Sequence, residues 1–290
     1  MKMTELKRED AMASRTKGLF SLLLGALISA SGTAQATTLT FPDFSSISGL
    51  TLNGNAAQVG NVLRVTPATF SQAGSVYSTT AVSLAANVSF STAFQFRFTN
   101  PGGACDGQGC GADGLVFVVQ TNSNNVGGLG GGIGYAGVLN SVGIEFDTWN
   151  NGAIDGNSSN HVGIDVGGSV DSLLRAEVTE ADMNNGAIWN AWVDYNGVTD
   201  LLEVRLSESS TRPASAILSM TRDLATDLGT TNAFVGFSSG TGAAFANHDV
   251  LSWTFIDNYQ PIGSVPEPAT LALLGIGLAG LGFGRRKRTC

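Results

Sequence analysis

Between residues 37 and 263 apolar and polar positions alternate with a period of two, in short runs that repeat along the chain. Ser89-Phe-Ser-Thr-Ala-Phe-Gln-Phe-Arg-Phe98 places Phe94, Phe96 and Phe98 on one face and Gln95 and Arg97 on the other, the pattern of a strand buried on one side. Leu115-Val-Phe-Val-Val119 is apolar throughout, which predicts a strand covered on both faces. Trp189, Ala191, Val193 and Tyr195 alternate up to Asn196-Gly197, a dipeptide that predicts a two-residue type I′ hairpin turn. The return run points Leu202, Val204 and Leu206 inward and Glu203 and Arg205 outward, and Phe234–Phe237 and Val250–Phe255 predict further strands. No stretch here carries the period of a long amphipathic helix. Many short strands joined by Gly, Asn and Ser predict an all-β chain folded as a two-sheet sandwich. Gly127 to Gly137 is rich in Gly-x-Gly, but another strand follows it instead of the helix start that a phosphate loop needs, which removes the nucleotide reading.

Both ends break the pattern. Residues 18 to 36 form a short apolar core preceded by Arg15 and Lys17 and closed by Ala34-Gln35-Ala36, so residues 1–36 read as a secretory signal peptide, with Met12 as an alternative start. At the other end Ser264-Val-Pro-Glu-Pro-Ala-Thr270 leads into an apolar segment, 269–283, and then Arg285-Arg286-Lys287-Arg288. The apolar segment is short for a membrane span, which needs about 17–25 residues, while its basic flank suits a cytoplasmic stop. This tripartite tail, 263–290, resembles the PEP-CTERM sorting signal of exopolysaccharide-producing Gram-negative bacteria. The resemblance implies transient membrane association, cleavage near Pro266 by an exosortase-type enzyme, and release to the periplasm, outer surface or extracellular matrix. A permanent C-terminal anchor is the alternative. The remaining 37–262 is one domain's length of chain.

Composition sharpens the partner question. Only 13% of the 290 residues are charged, which excludes a charged disordered chain. The formal charge of −8 understates the domain: without its two ends the chain keeps six arginines, no lysine and nineteen acidic residues, a formal −13. Such a body repels nucleic acid and suits divalent cations. Cys105 and Cys110 enclose Asp-Gly-Gln-Gly in an exported chain, which predicts a small loop disulfide. A zinc half-site is the weaker reading, since no second Cys/His pair follows; Cys290 belongs to the tail.

The chemistry concentrates in Val142-Gly-Ile-Glu-Phe-Asp-Thr-Trp-Asn-Asn151 and the following Asp155 and His161-Val-Gly-Ile-Asp165. On a strand Ile144 and Phe146 point one way, and Glu145, Asp147 and Trp149 the other. Two carboxylates on neighbouring same-face positions repel unless a cation lies between them, and no arginine is near in sequence. Asp147, Asn151, Asp155 and a main-chain carbonyl offer the hard oxygens of a Ca²⁺ site. Glu145, Asp147, Asp155 and His161 add one imidazole to carboxylates, as Mn²⁺ or a similar ion prefers. The competing reading is a polar strand edge and a solvated loop.

Glu145-Phe-Asp-Thr-Trp-Asn-Asn151 followed by Asp155 and Asn160-His-Val-Gly-Ile-Asp165 resembles the metal-binding segment of the legume (L-type) lectins. Gly111-Ala-Asp-Gly-Leu-Val-Phe-Val118, Gly134-Tyr-Ala-Gly137, Trp192-Val-Asp-Tyr-Asn-Gly197, Phe234-Val-Gly-Phe-Ser-Ser-Gly-Thr-Gly242 and His248-Asp-Val-Leu-Ser-Trp-Thr-Phe255 follow in the family's order, so the similarity spans about residues 39 to 257. It implies a concanavalin-like jelly-roll β-sandwich. It also implies a transition metal on Glu145, Asp147, Asp155 and His161, and calcium on Asp147, the Trp149 carbonyl, Asn151 and Asp155. One departure stands out: Asp155 lies ten residues after Glu145, whereas the plant pattern has eleven and here Gly156 takes that place. The resemblance further implies a cis peptide before Asp113 and a sugar held by Asp113, Gly134, Trp149 and Asn151, with Ala243 and Ala244 in the loop that touches it. His248 matches no ligand role and is expected to make a structural hydrogen bond, with Trp192 and Trp253 in the core.

The leading expectation is an exported, calcium-dependent carbohydrate-binding protein without catalysis. A matrix or adhesion protein that keeps the sandwich but not the sugar site is the alternative. A glycoside hydrolase of the same sandwich class is disfavoured: retaining hydrolysis needs two flanking carboxyl groups about 5–5.5 Å apart, and Asn150 stands where sandwich glucanases place the acid. The ends carry their own test. Intact-mass measurement of protein from its native host should find a chain that begins near Thr37 and ends near Pro-Glu-Pro; an extracellular form retaining Arg285 to Arg288 would contradict the sorting reading.

Overall fold

Alternating side chains must bury one face each, and the chain does so by stacking two antiparallel sheets. The computed structural model describes residues 37–84, 87–107, 109–125 and 130–263; the predicted signal peptide and, from residue 264 on, the predicted tail lie outside them. One sheet runs in the order Leu218–Thr221, Leu201–Ser207, Trp189–Asn196, Phe90–Gly103, Ala244–Ile256, Val62–Thr66 and Ala57–Val59. Thr38–Phe41 also pairs with Ala244–Ile256. The other runs Leu174–Glu177, His161–Val166, Ser141–Asp147, Gly114–Gln120, Asn232–Gly240, Ala73–Ser78 and Leu50–Gly54. Val82–Ser83 pairs with Asn232–Gly240. Among the described residues the one α-helix is Leu224–Leu228, capped by the Asp223 carboxylate, which accepts from the Thr226 N–H, and by Gly229.

The core lies where the inner faces meet. Phe94 of the first sheet meets Phe146 and Phe237 of the second edge-on, with ring centroids 5.7 and 5.0 Å apart, the arrangement that the aromatic quadrupole favours. Phe96, Phe98, Trp189, Val193, Leu202, Val204, Leu206 and Trp253 join the same cluster. The run Leu115–Val119 has a cover on each side. Leu115, Phe117 and Val119 enter the main core, while Val116 and Val118 pack with Tyr77, Ile133, Tyr135 and Val138 on the outer face. The described end of the glycine-rich segment, through Ile133 and Tyr135, thus covers the outer face of the second sheet.

Two local expectations need correction. Asn196 pairs directly with Leu201, so Gly197 to Asp200 form a four-residue connection instead of a two-residue type I′ turn. The Asn196 side chain accepts from the Val198 N–H and its carbonyl from the Thr199 N–H, and Asp200 takes the positive φ of 56°. Gly197 is needed for close approach: a Cβ there would lie 1.5 Å from the Asn87 carbonyl oxygen. Trp192 is buried, but on the outer face of its sheet, since Ala191 and Val193 take the inner positions. Its indole is covered near Gly263 and not by the core. His248 is fully buried, with Nδ1 2.7 Å from the Thr66 hydroxyl, and burial lowers its pKa to about 3.

The expected outcome for Gly197→Ala is a loss of about 1–3 kcal/mol, because the added methyl overlaps backbone that cannot retreat freely. Urea denaturation monitored by tryptophan fluorescence measures it.

Candidate functional site

Ser141–Asp147 is the third strand of its sheet and is flanked by Gly114–Gln120 and His161–Val166. Val142, Ile144 and Phe146 fill the core, which leaves Glu145 and Asp147 on the outer face beneath the loops. The register places His161 opposite Asp147 and Gly163 opposite Glu145. A Cβ on Gly163 would lie 2.3 Å from Glu145 Oε1 and 2.0 Å from Ser172 Oγ, so that glycine makes the space in which the Glu145 carboxylate sits. His161 Nε2 is 3.1 Å from Glu145 Oε1. Ligand atoms of Glu145, Asp147 and His161 all fall within 4.8 Å of one another.

Each of these groups is nearly or wholly buried, and the charges there are mostly of one sign. Burial pushes Asp147 well above the usual carboxylate range, and the charges of Glu145, Asp155 and Asp113 push the same way, with the Trp149 N–H opposing. Asp155 is also raised, first by burial. The arginine that acts against this at Asp155 is Arg175, on the edge strand Leu174–Glu177, which donates to the Ile154 carbonyl at 2.6 Å. Ser172 Oγ lies 2.5 Å from Glu145 Oε1 and 2.7 Å from Asp165 Oδ1. One hydroxyl proton cannot serve two carboxylates. Burial, and after it the Glu145 charge, push Asp165 well above the usual carboxylate range.

The second part of the site comes from a neighbouring strand. The Ala112–Asp113 peptide is cis. The Asp113 N–H donates to the Gly240 carbonyl at 3.1 Å, and its carbonyl accepts from the Thr148 N–H at 3.0 Å, which ties it to the strand ends on either side. Gly114 has φ +148°, and a Cβ on it would lie 2.3 Å from the Phe146 carbonyl oxygen; the glycine after Asp113 is therefore a requirement of the backbone. Asp113 is 4% exposed, its Oδ2 lacks a hydrogen-bond partner, and burial followed by the Asp155 charge raises its pKa to about 7. A buried carboxylate oxygen without a donor is a vacancy for one.

The loop from Asp147 to Asp155 closes the site. Trp149 lies beyond the strand end, so its position follows from the loop and not from strand alternation. Asn151 starts the 3-10 turn Gly152–Asp155, and its N–H donates to Asp155 Oδ2. Asp155, at the end of that turn, is near enough for its charge to raise Asp147 and Asp113, but it is not among the groups whose ligand atoms fall within 4.8 Å of one another. Gly156 takes its φ of +66° as the turn's C-cap. Asn150, at the position where a hydrolase acid would stand, spends its side-chain amide on the loop, donating to the Asn157 carbonyl and accepting from the Gly152 N–H.

On the Asp113 side two glycines face the site with their Cβ positions: Gly131, 3.3 Å from Asn151 Nδ2 and 3.8 Å from Asp113 Oδ1, and Gly242, 3.6 Å from Asp113 Oδ2. Gly134 packs against Ser238 and Ser239. Ala243 is exposed, whereas Ala244 is buried at the start of its strand opposite Gly103, and Gly242 is the neighbour of Asp113 Oδ2. Cys105 and Cys110 are bonded to each other. Gly131, Gly163, Asp165 and Ser172 escaped the sequence reading as site residues; only the Gly within His-Val-Gly-Ile and the dense glycine run hinted at two of them.

The sequence profile described as "Legume lectin domain" matches residues 36–269, and that of the "PEP-CTERM protein-sorting motif" matches 264–288. The chain is 33% identical over 222 residues to the L-type lectin-domain containing receptor kinase VIII.1 of Arabidopsis thaliana. That alignment takes 73% of this chain but spans only 29% of the relative. Basic winged bean lectin, solved with Tn-antigen, superposes with a TM-score of 0.65 at 27% identity, covering 77% of this chain and 98% of that one. The lectin I-B4 of Griffonia simplicifolia, solved metal-free, gives 0.62 at 28% identity, with 76% and 98% covered.

The electrostatics predict a pH dependence in the presence of chelator. An acid whose folded pKa is raised holds its proton more tightly in the native state. Through Asp113 the native chain keeps a proton that the unfolded one has released between about pH 4 and pH 7, which lowers stability as pH rises through that window. The raised Asp147, Asp155 and Asp165 act the same way, and the buried neutral His248 acts against them. Melting temperatures in EDTA should decline over this range, and less steeply in Asp113→Asn, which removes one of the titrating groups.

Proposed function

The chain belongs to the legume lectin domain family, and from that premise we propose that it is an exported lectin that binds carbohydrate through a calcium-ordered loop. The observation that carries the reading is the set of buried, mutually repelling carboxylates at Glu145, Asp147 and Asp155, with the imidazole of His161 among them and the unpartnered oxygen of Asp113 beside them. The donor set fits two ions. Asp147, the Trp149 carbonyl, Asn151 and Asp155 would hold calcium through oxygen alone. Glu145, Asp147, Asp155 and His161 would hold manganese or a similar ion. Bound cations would supply the positive charge that the side chains lack and would order the loop that carries Trp149 and Asn151.

Asp113 then acts as acceptor for sugar hydroxyls, Asn151 offers its amide to a hydroxyl, and the Trp149 ring gives an apolar face for a pyranose. The backbone of the glycine segment, through Gly131 or Gly134, and Ala243 border the same place. The sorting motif at 264–288 supports export, processing by an exosortase-type enzyme and delivery to the surface or matrix of a Gram-negative cell, where polysaccharide is at hand. The alignment spans only 29% of the Arabidopsis receptor kinase, so its kinase activity is not carried over to this chain.

Calcium should stabilise the protein against heat by the linkage of binding to folding, about 2.7 kcal/mol at 100 times the dissociation constant. Asp147→Ala should abolish that gain, and an unchanged melting temperature with calcium or EDTA would remove the metal site. On a glycan array, binding should vanish in EDTA. Asp113→Asn should keep the calcium-induced shift yet weaken glycan binding at least tenfold, about 1.4 kcal/mol. Asn151→Ala should damage both.

A further inference from the structure

Three successive N–H groups in the loop after Asp147 each donate to a carboxylate. The Trp149 N–H donates to Asp147 Oδ1 at 2.7 Å, the Asn150 N–H to Asp106 Oδ2 at 3.0 Å, and the Asn151 N–H to Asp155 Oδ2. Asp147 and Asp155 belong to the proposed metal sites. Asp106 does not, and it reaches the loop from 44 residues upstream. It is the residue next to Cys105 within the hairpin that the Cys105–Cys110 bond closes, and its own N–H donates to the Gly109 carbonyl at 2.8 Å. The hairpin is anchored from behind, where the Ala104 N–H donates to the Ala243 carbonyl at 2.9 Å.

The peptide unit explains why this matters. The Asn150 N–H and the Trp149 carbonyl belong to one planar trans amide, so they point in opposite directions. A carboxylate that holds the N–H on one side fixes where the carbonyl aims on the other. It also polarises the amide and makes that carbonyl a better ligand for a hard cation. Asp147 and Asp155 have other work once an ion is bound; Asp106 keeps its grip with or without one.

We propose that Asp106 is a positioning residue that aims the Trp149 carbonyl at the calcium, and that the Cys105–Cys110 bond holds it there, so that opening the disulfide lowers calcium affinity. The proposal rests on the calcium reading given above. Cys105 is exposed, so the bond is within reach of reductants in solution.

The test is calorimetric calcium titration of the full chain, with amide hydrogen exchange at Asn150 measured in EDTA. Asp106→Ala should weaken calcium binding about tenfold and speed exchange at Asn150 by a similar factor. Asp106→Asn, which keeps an acceptor oxygen but loses the charge, should fall between it and the wild type. Cys105→Ser with Cys110→Ser should match Asp106→Ala; dithiothreitol should reproduce the loss in wild type and do nothing further to the double variant. Wild-type calcium affinity in folded Asp106→Ala and in the double serine variant would overturn the proposal. Absence of calcium binding by the wild type would instead overturn the function reading. In that event, unchanged Asn150 exchange in Asp106→Ala would also show that Asp106 does not hold the peptide.

Discussion

The arrangement of this protein around its site follows from one electrostatic constraint: several carboxylates buried together. Glu145, Asp147, Asp155 and Asp113 act on one another, and Asp165 adds a fifth group beside Glu145. Desolvation and like charge both penalise their ionised forms. A fold tolerates such a cluster only if protons or cations supply the missing positive charge. Protons can serve at low pH; at neutral pH a divalent ion, as proposed above, would do so. The same charges that penalise the metal-free chain would be the source of the proposed ion affinity.

The sandwich exists to hold those groups still. Phe146 and Ile144 are clamped in the aromatic core, so the side chains between and after them, Glu145 and Asp147, have a fixed outward direction. His161 arrives by register from the adjacent strand, and Gly163 clears the volume that Glu145 occupies. Asp113 arrives at the end of the strand on the other side, tied to Gly240 and Thr148 by its own backbone. Three adjacent strands thus set the rigid half of the site, while the loop 148–156 and the hairpin 105–110 set the half that an ion would order.

Much of this was legible from residues alone. A period of two with Phe94, Phe96 and Phe98 on one side can only be a half-buried strand, and the absence of a helical period left a sandwich. The acidic pair Glu145 and Asp147 was visible because two like charges on one strand face, with no arginine near in sequence, demand an explanation. The family resemblance then supplied roles that spacing left open between a metal site and a polar edge. Where local signals misled, tertiary contacts were the cause. Asn196-Gly197 carries a hairpin signature, but its glycine is there because the Asn87 carbonyl passes against it. Trp192 looked like core because it is large and apolar; its position in the strand alternation puts it on the outer face instead.

What the sequence determined by itself is therefore whatever depends on neighbours along the chain: strands, faces, the acidic strand and the C-terminal sorting motif. What only the tertiary structure decided is whatever depends on approach between distant segments. It chose Gly131 as the glycine facing Asp113 and Asn151, set Gly134 against Ser238 and Ser239, and brought Asp106 to the Asn150 amide. It also placed Ser172 between two carboxyls. None of these residues differs in type from many others in the chain. Their roles come from distances of a few ångströms, and a one-dimensional pattern of hydrophobic and polar positions carries no information about which distant backbone group will lie within hydrogen-bond reach.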